Sequence, residues 1–373
     1  LLEIPAAAPS PVEFERFAYI RIGSATPRLS DYPERLRTLW AKLQPYAWES
    51  EIALQFVTSD EVLARLDYTS YFDLTRKPLP DNRAGILDRL SSDRLISADA
   101  GGRWNITNLA AILFAKELTD FPSPIARKAV RFVAYGGRNR AERVTHRKDS
   151  NKGYGTGFES LLAYVGGVLQ HRESIGEALR EEHPVYPALA IRELVANALI
   201  HQDMTITGAG PTIELFQDRL EITNPGQPLV NPDRFLDSPP RSRNEALAAL
   251  MRRMGMCEKQ GTGIDKVIVA VELHQLPPPD FRAESNAVQA VLFAARRFSE
   301  MTSEERIRAC YQHASLKYVS GQRMTNATLC ERFGILPQNS AQASRVIRLA
   351  VDADLVRVAD PGLPRAGYVP FWA

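Results

Sequence analysis

Glu193, Asn197 and His201 recur every four residues in the run Leu189-Ala190-Ile191-Arg192-Glu193-Leu194-Val195-Ala196-Asn197-Ala198-Leu199-Ile200-His201-Gln202-Asp203. On a helix that spacing stacks them along one face. A carboxamide oxygen suits a hydrated metal cation that takes oxygen donors and keeps its waters. A carboxylate one turn away can orient or deprotonate a water. Two downstream segments fit the same chemistry. Glu221-Ile222-Thr223-Asn224-Pro225-Gly226 reads as a strand ending in a sharp turn, and Glu258-Lys259-Gln260-Gly261-Thr262-Gly263-Ile264 as a Gly-rich loop opening a helix. Phosphate oxygens need closely approached backbone N–H donors, which Gly261 and Gly263 permit just ahead of a helix N-terminus. Singly, each segment has a plainer reading: a solvated helix face, a turn, a common loop. Their order and spacing together point to a nucleotide site, with His201 as a packed, hydrogen-bonded support.

The elements that must position these residues follow from periodicity. Ile191, Leu194, Val195 and Ala198 fall at helical spacing and predict a buried stripe on a helix over 189–203. Lys128–Tyr135, Thr212–Phe216, Arg219–Thr223 and Ala287–Phe293 read as strands, the middle two as a hairpin turning at Gln217-Asp218. Phe158–His171, Glu245–Met254 and Ile264–Leu273 read as helices. Arg138, Arg140, Arg143, Arg147, Lys148 and Lys152 predict a basic loop, its plain alternative being a solvated hairpin.

Either side of this region the pattern changes. Phe17–Gly23 is a short strand pattern, followed by a helix over Pro33–Leu43. In 50–118, Ser59 is placed to cap Asp60–Leu66, Asn82 precedes Arg83–Leu90, a third helix follows at Thr107–Phe114, and a strand–Gly–strand pattern lies at Leu95–Ile106. That is a winged-helix-like order, with a helical spacer as the alternative. After Ser303–Tyr311, Asn326–Phe333 behind Thr325, and Ser340–Asp352 with Arg345 and Arg348, a hairpin pattern closes the chain. Helix, helix, helix, wing would place the third helix in a DNA major groove, and a helical dimerisation module is the alternative. Four segments are expected: 1–45, 46–125, 126–298 and 299–373.

The 373 residues suffice for several domains. Net charge is +2, so nucleic-acid binding must come from local patches. Cys257, Cys310 and Cys330 form no CxxC pair, which disfavours a zinc site or disulfide framework and fits a reducing cytoplasm. Apolar runs such as Leu109–Ala115 are far below the roughly 20 residues that span a bilayer. With Leu-Leu-Glu at the start, the natural N-terminus is expected upstream.

The three segments resemble the GHKL ATP-binding (Bergerat) fold of gyrase, Hsp90, histidine kinases and MutL. They are more similar still to the divergent GHKL domain of bacterial proteins that carry an N-terminal Schlafen AlbA-type domain and are labelled RecG-related proteins or transcriptional regulators. Ser242-Arg243-Asn244 matches a further hallmark. Ile20–Ser24 resembles the end of the AlbA-type domain, and Tyr368–Trp372 resembles a winged-helix tail. The resemblance implies an α+β multidomain chain: a GHKL-type sandwich, helices on one face of a mixed sheet, flanked by helical and winged-helix modules. It implies ATP and Mg2+ as cofactors, Glu193 as general base and Asn197 as metal ligand. Asn224 and Gly226 would lie by adenine, and Gly261, Thr262 and Gly263 by the phosphates. Arg243 and Asn244 would lie in a mobile lid, where Arg243 meets a phosphate. Two motifs depart from the pattern. Asn224 and Pro228 stand where relatives carry the Asp and second Gly of Asp-x-Gly-x-Gly. His201-Gln202-Asp203-Met204 replaces a common His-Arg-Asp-Tyr.

The expected function is an ATP-binding regulator, with weak Mg-dependent hydrolysis an open question, that couples nucleotide state to DNA binding through Arg345 and Arg348. It would be cytoplasmic, without a membrane partner, and homodimeric if it follows its relatives. The alternative is the ATPase module of a nucleic-acid-acting or phage-defence effector whose active domain lies upstream. No GxxxxGK[ST] loop occurs, which argues against a helicase motor. His171-Arg172-Glu173 is a poor phosphoacceptor candidate.

Overall fold

A computed structural model describes residues 11–43, 47–175, 186–239, 241–258, 262–363 and 366–373. The chain divides into two units, Leu1–Trp48 and Glu49–Ala373. In the first, β1 (Glu13–Phe14) and β2 (Phe17–Ala18) pair antiparallel and α1 runs Pro33–Leu43. The strand expected over 17–23 is cut short. The chain turns back on itself at Gly23 (φ +61°), and Ile22 bridges Ala25 instead of a longer partner.

The second unit opens with β3 (Ile52–Val57), α2 (Ser59–Arg65), α3 (Tyr68–Thr75), α4 (Arg83–Ser92), β4 (Ile96–Ala98), β5 (Trp104–Thr107) and α5 (Asn108–Phe114), followed by the short α6 (Ser123–Ala126). The strands form an antiparallel sheet in the order β3-β5-β4. Asn82 caps α4 as expected. The cap of α2 is Thr58, not Ser59. Its hydroxyl accepts from the Glu61 N–H at 3.2 Å while the Glu61 carboxylate accepts from the Thr58 N–H at 2.8 Å. This reciprocal box satisfies two backbone donors, which Ser59 one position later could not do with Glu61.

The central region holds β6 (Val130–Tyr135), β7 (Val144–Ser150), α7 (Tyr154–Ile175), α8 (Ala188–His201), β8 (Thr212–Leu215), β9 (Arg219–Pro225), α9 (Glu245–Arg253), α10 (Gly263–Leu273), β10 (Asp280–Ala283) and β11 (Ala287–Phe293). Its six strands form one mixed sheet in the order β10-β11-β9-β8-β6-β7, with β6 and β8 parallel and all other neighbours antiparallel. Much of the expected basic loop is therefore strand. Arg147 and Lys148 lie in β7, held by the register opposite β6, where Arg131 pairs with Asp149 at 3.1 Å. Alternation assigns the two faces of the sheet. Phe132, Ile213, Ile222 and Ala290 stand opposite one another across the strands and share one face; Glu214 and Glu221 share the other. On the apolar side α8 lies against β9, with α7 and α10 packed on it.

The chain closes with α11 (Ser303–Val319), α12 (Asn326–Phe333), α13 (Ala341–Asp352), β12 (Val356–Val358) and β13 (Tyr368–Pro370) around their own core of Ala309, Cys310, Ala314, Leu329, Val346 and Ile347. The molecule is a multidomain α+β fold. No helix among the described residues is long and apolar enough to cross a membrane.

Candidate nucleotide site

α8 is more deeply enclosed than its polar spacing implies. Ile191, Leu194, Val195 and Ala198 are buried as expected, and so are Ala196, Leu199 and Ile200. Glu193 itself is only 5% exposed. Sheet on one side and α10 on the other leave little room for a solvated stripe. The helix stops at His201. Gln202 is extended, and the Asp203 N–H donates to the carbonyl of Pro225 at 2.8 Å, tying the end of α8 to the end of β9. The turn beyond is held by Lys128. Its side chain is fully buried, and its ammonium donates to the carbonyls of Asp203, Ile206 and Ala209 at 3.4, 2.6 and 3.3 Å. Burial lowers its pKa to about 8, with the Asp203 carboxylate opposing.

Between α8, α9, the start of α10 and strands β9 and β11 lies a cavity of about 580 Å³. That volume suits a small organic ligand. Glu193, Asn197, His201, Asn224, Arg243 and Gly263 all line it, so six of the residues singled out in the sequence come together. Ile222, Val288 and Ala290 from the sheet and Phe235 and Phe281 beside it supply apolar wall. Gly263 is the first residue of α10, and a Cβ there would lie 2.9 Å from Glu193 Oε2 and 3.6 Å from the Asn197 amide nitrogen. Any larger residue there would have to push the Glu193 carboxylate aside, so glycine lets the N-terminus of α10 close on it.

Two buried polar atoms of the lining have no hydrogen-bond partner: Glu193 Oε2 and Asn224 Nδ2. An unpaired buried polar group costs free energy, so a ligand that completes them fits. Burial raises the Glu193 pKa, with Lys266 and Arg192 pulling it back. Burial, then the cations of Arg243 and Arg252, lowers that of His201 to about 4, so its ring is neutral near pH 7.

Other expected residues are placed differently. Gly226 has φ +108°, and a Cβ on it would meet Asp203 Cβ at 2.6 Å. Its requirement for glycine comes from that contact, and it does not line the cavity. The Asn244 side chain is buried and donates to the carbonyls of Ile200 and Gln202 at 2.7 and 2.8 Å, holding the end of α8. Arg243 reaches the cavity but donates to the carbonyls of His201 (3.2 Å) and Gln227. Thr262 is the N-cap of α10 with no side-chain cap bond and lies outside the lining. Lys259, Gln260 and Gly261, and the side chain of His171, lie outside the described residues. Arg345 and Arg348 are exposed on α13. The sequence reading passed over Arg252 and the Phe235–Phe281 pair, whose rings lie 5.6 Å apart. Glu245, Ala248, Ala249 and Arg252 all line the cavity from one face of α9, a helical spacing that was there to be read.

No curated protein matches the chain by sequence. Among solved structures, the crystal structure of the DIP2311 protein from Corynebacterium diphtheriae aligns with a TM-score of 0.51 and 18% identity, over 95% of this chain and 60% of that one. The likeness is one of fold, and this chain spans only about 60% of that protein's length. A family model described as "Putative ATP-dependent DNA helicase recG C-terminal" matches residues 208–292. The match starts beyond α8 and takes in β8, β9, α9, α10 and β10 with nearly all of β11. Over this stretch, which supplies the sheet wall and the α9–α10 side of the cavity, the chain is similar to the ATPase-like domain of RecG-related proteins.

Proposed function

We propose that the cavity is an ATP site of GHKL type and that the chain is a regulator in which nucleotide state is coupled to DNA binding. The observation that carries the reading is the meeting of Glu193, Asn197 and Gly263 at one end of the cavity, with Glu193 Oε2 unpartnered. The donor set fits a magnesium nucleotide. Asn197 offers a neutral oxygen to the cation, which would supply charge neutralisation at the phosphates when bound. The α10 N-terminus turns its free N–H groups toward an anion. Glu193 orients a water and accepts its proton, and its raised pKa makes it a better base than an exposed carboxylate. Asn224 and the apolar wall of Ile222, Val288 and Ala290 receive the base.

Coupling rests on α10. Its first residue lines the cavity, while near its other end Glu272 meets His313 of α11 at 3.0 Å and Arg332 of α12 at 3.4 Å. Arg332 also donates to the carbonyl of Leu276 at 2.7 Å. A shift of α10 on nucleotide binding is thereby passed to the three-helix module. We read residues 299–373 as a winged helix presenting Arg345 and Arg348 to phosphate, and 46–125 as a related module beside the 126–298 nucleotide domain.

Mg-nucleotide binding tests this. Wild type is expected to bind ATP or ADP, Asn197→Ala to lose affinity for the metal complex, and Glu193→Gln to retain binding without turnover. Absence of binding by wild type at millimolar nucleotide ends the proposal. Duplex binding that shifts with nucleotide in wild type but not in Glu272→Gln supports the coupling; duplex binding indifferent to nucleotide removes it.

A further inference from the structure

Resting on the nucleotide reading, the geometry points to Arg252, not Arg243, as the cation that receives the phosphates. Both arginines line the cavity. Arg243 is committed. Its two terminal nitrogens hold the carbonyls of His201 and Gln227, so it splints the end of α8 to the loop after β9. Turning it toward a ligand would leave both carbonyls without that donor. Arg252 has no hydrogen bond or ion pair among the described residues and is half-buried in the last turn of α9. It lies next to the Cys257–Glu258 segment that leads toward α10, and Cys257 and Glu258 line the cavity with it. His201 from the end of α8 lines the same cavity as Arg252 and that segment.

Two features of the site turn this free cation into a phosphate partner. The α10 N-terminus at Gly263 lines the same cavity, so helix dipole and guanidinium are both available to one anion. Glu258, the nearest acid in sequence, is paired with Lys266. An arginine fork offers two parallel donors to a phosphate, which a lone backbone N–H cannot match. Arg241, exposed on the cavity rim, is placed to add long-range attraction only.

The experiment compares adenosine, ADP and ATP, with Mg2+, by calorimetry on the full chain. Arg252→Gln is expected to weaken ATP by roughly tenfold or more, the scale of a lost charge-assisted hydrogen bond, while leaving adenosine within about twofold. Arg252→Lys restores part of the loss. Arg243→Gln is expected to lower Tm and to weaken adenosine and ATP by the same factor. An unchanged ATP-to-adenosine ratio in Arg252→Gln, or a collapse of that ratio in Arg243→Gln instead, overturns the assignment while leaving the nucleotide site standing. Failure of wild type to bind adenosine, ADP or ATP overturns the nucleotide reading and this assignment with it.

Discussion

The two faces of the central sheet bury polar groups on opposite terms. On the face away from α8, Glu214 and Glu221 stand directly across from each other, two buried carboxylates that should repel. Every one of their demands is met. Arg140 donates to Glu214 through two nitrogens at 2.8 and 2.6 Å and the Tyr135 hydroxyl adds a third bond; Arg219 and Gln289 hold Glu221 at 2.6 and 3.0 Å. On the α8 face, Glu193 and Asn224 each keep a buried atom with no partner. Burial alone therefore does not mark function. A satisfied network fixes strand register, whereas an unsatisfied one beside a cavity is a cost that a ligand can remove.

That contrast can be broken by mutation. The largest effect is expected on the satisfied face. Arg219→Met removes the closer of the two cations of the Glu221 carboxylate, leaving Arg140 at 3.8 Å, and should lower the urea-unfolding free energy by about 2–3 kcal/mol. On the cavity face the sign should reverse: Glu193→Gln removes a buried carboxylate whose Oε2 has no hydrogen-bond partner and should raise stability by about 1 kcal/mol. A loss of stability comparable to that of Arg219→Met would erase the distinction. A smaller effect sharpens it through pH. His201 titrates near 4 in the fold against 6.5 unfolded. The unfolded chain thus takes up the proton first, and stability should fall as pH drops from about 6.5 toward 4 and level off below. His201→Gln should flatten that part of the Tm profile, and a slope identical to wild type would remove His201 as its source.

How much of this could be read from the sequence depended on range. The α8 periodicity, the cap at Asn82 and the turn at Gln217-Asp218 are local signals, and they held. The Thr58 cap was legible as well, since Glu61 completes the box three residues on, but the adjacent Ser59 competes for the same reading. The Glu193–Asn197 pair could be placed on one helix, yet the depth of Glu193 could not, because it is set by α10 closing over it some 70 residues later. β3 and α3 were missed where short apolar stretches fit either period. The roles of Arg243 and Arg252 are invisible in one dimension. What separates them is which carbonyls each guanidinium happens to reach. Lys128 gave no signal at all, as a single lysine at a strand start carries no hint of three carbonyls waiting around it.

Lys128 bears on how the proposed site is to be probed. Its ammonium does for the 203–209 turn what a bound cation does elsewhere, drawing carbonyl oxygens to one positive centre. Because that cation is part of the chain, it cannot be chelated or exchanged. The turn that follows α8 is thus held without a divalent ion, so a response to EDTA or to added Mg2+ does not arise there.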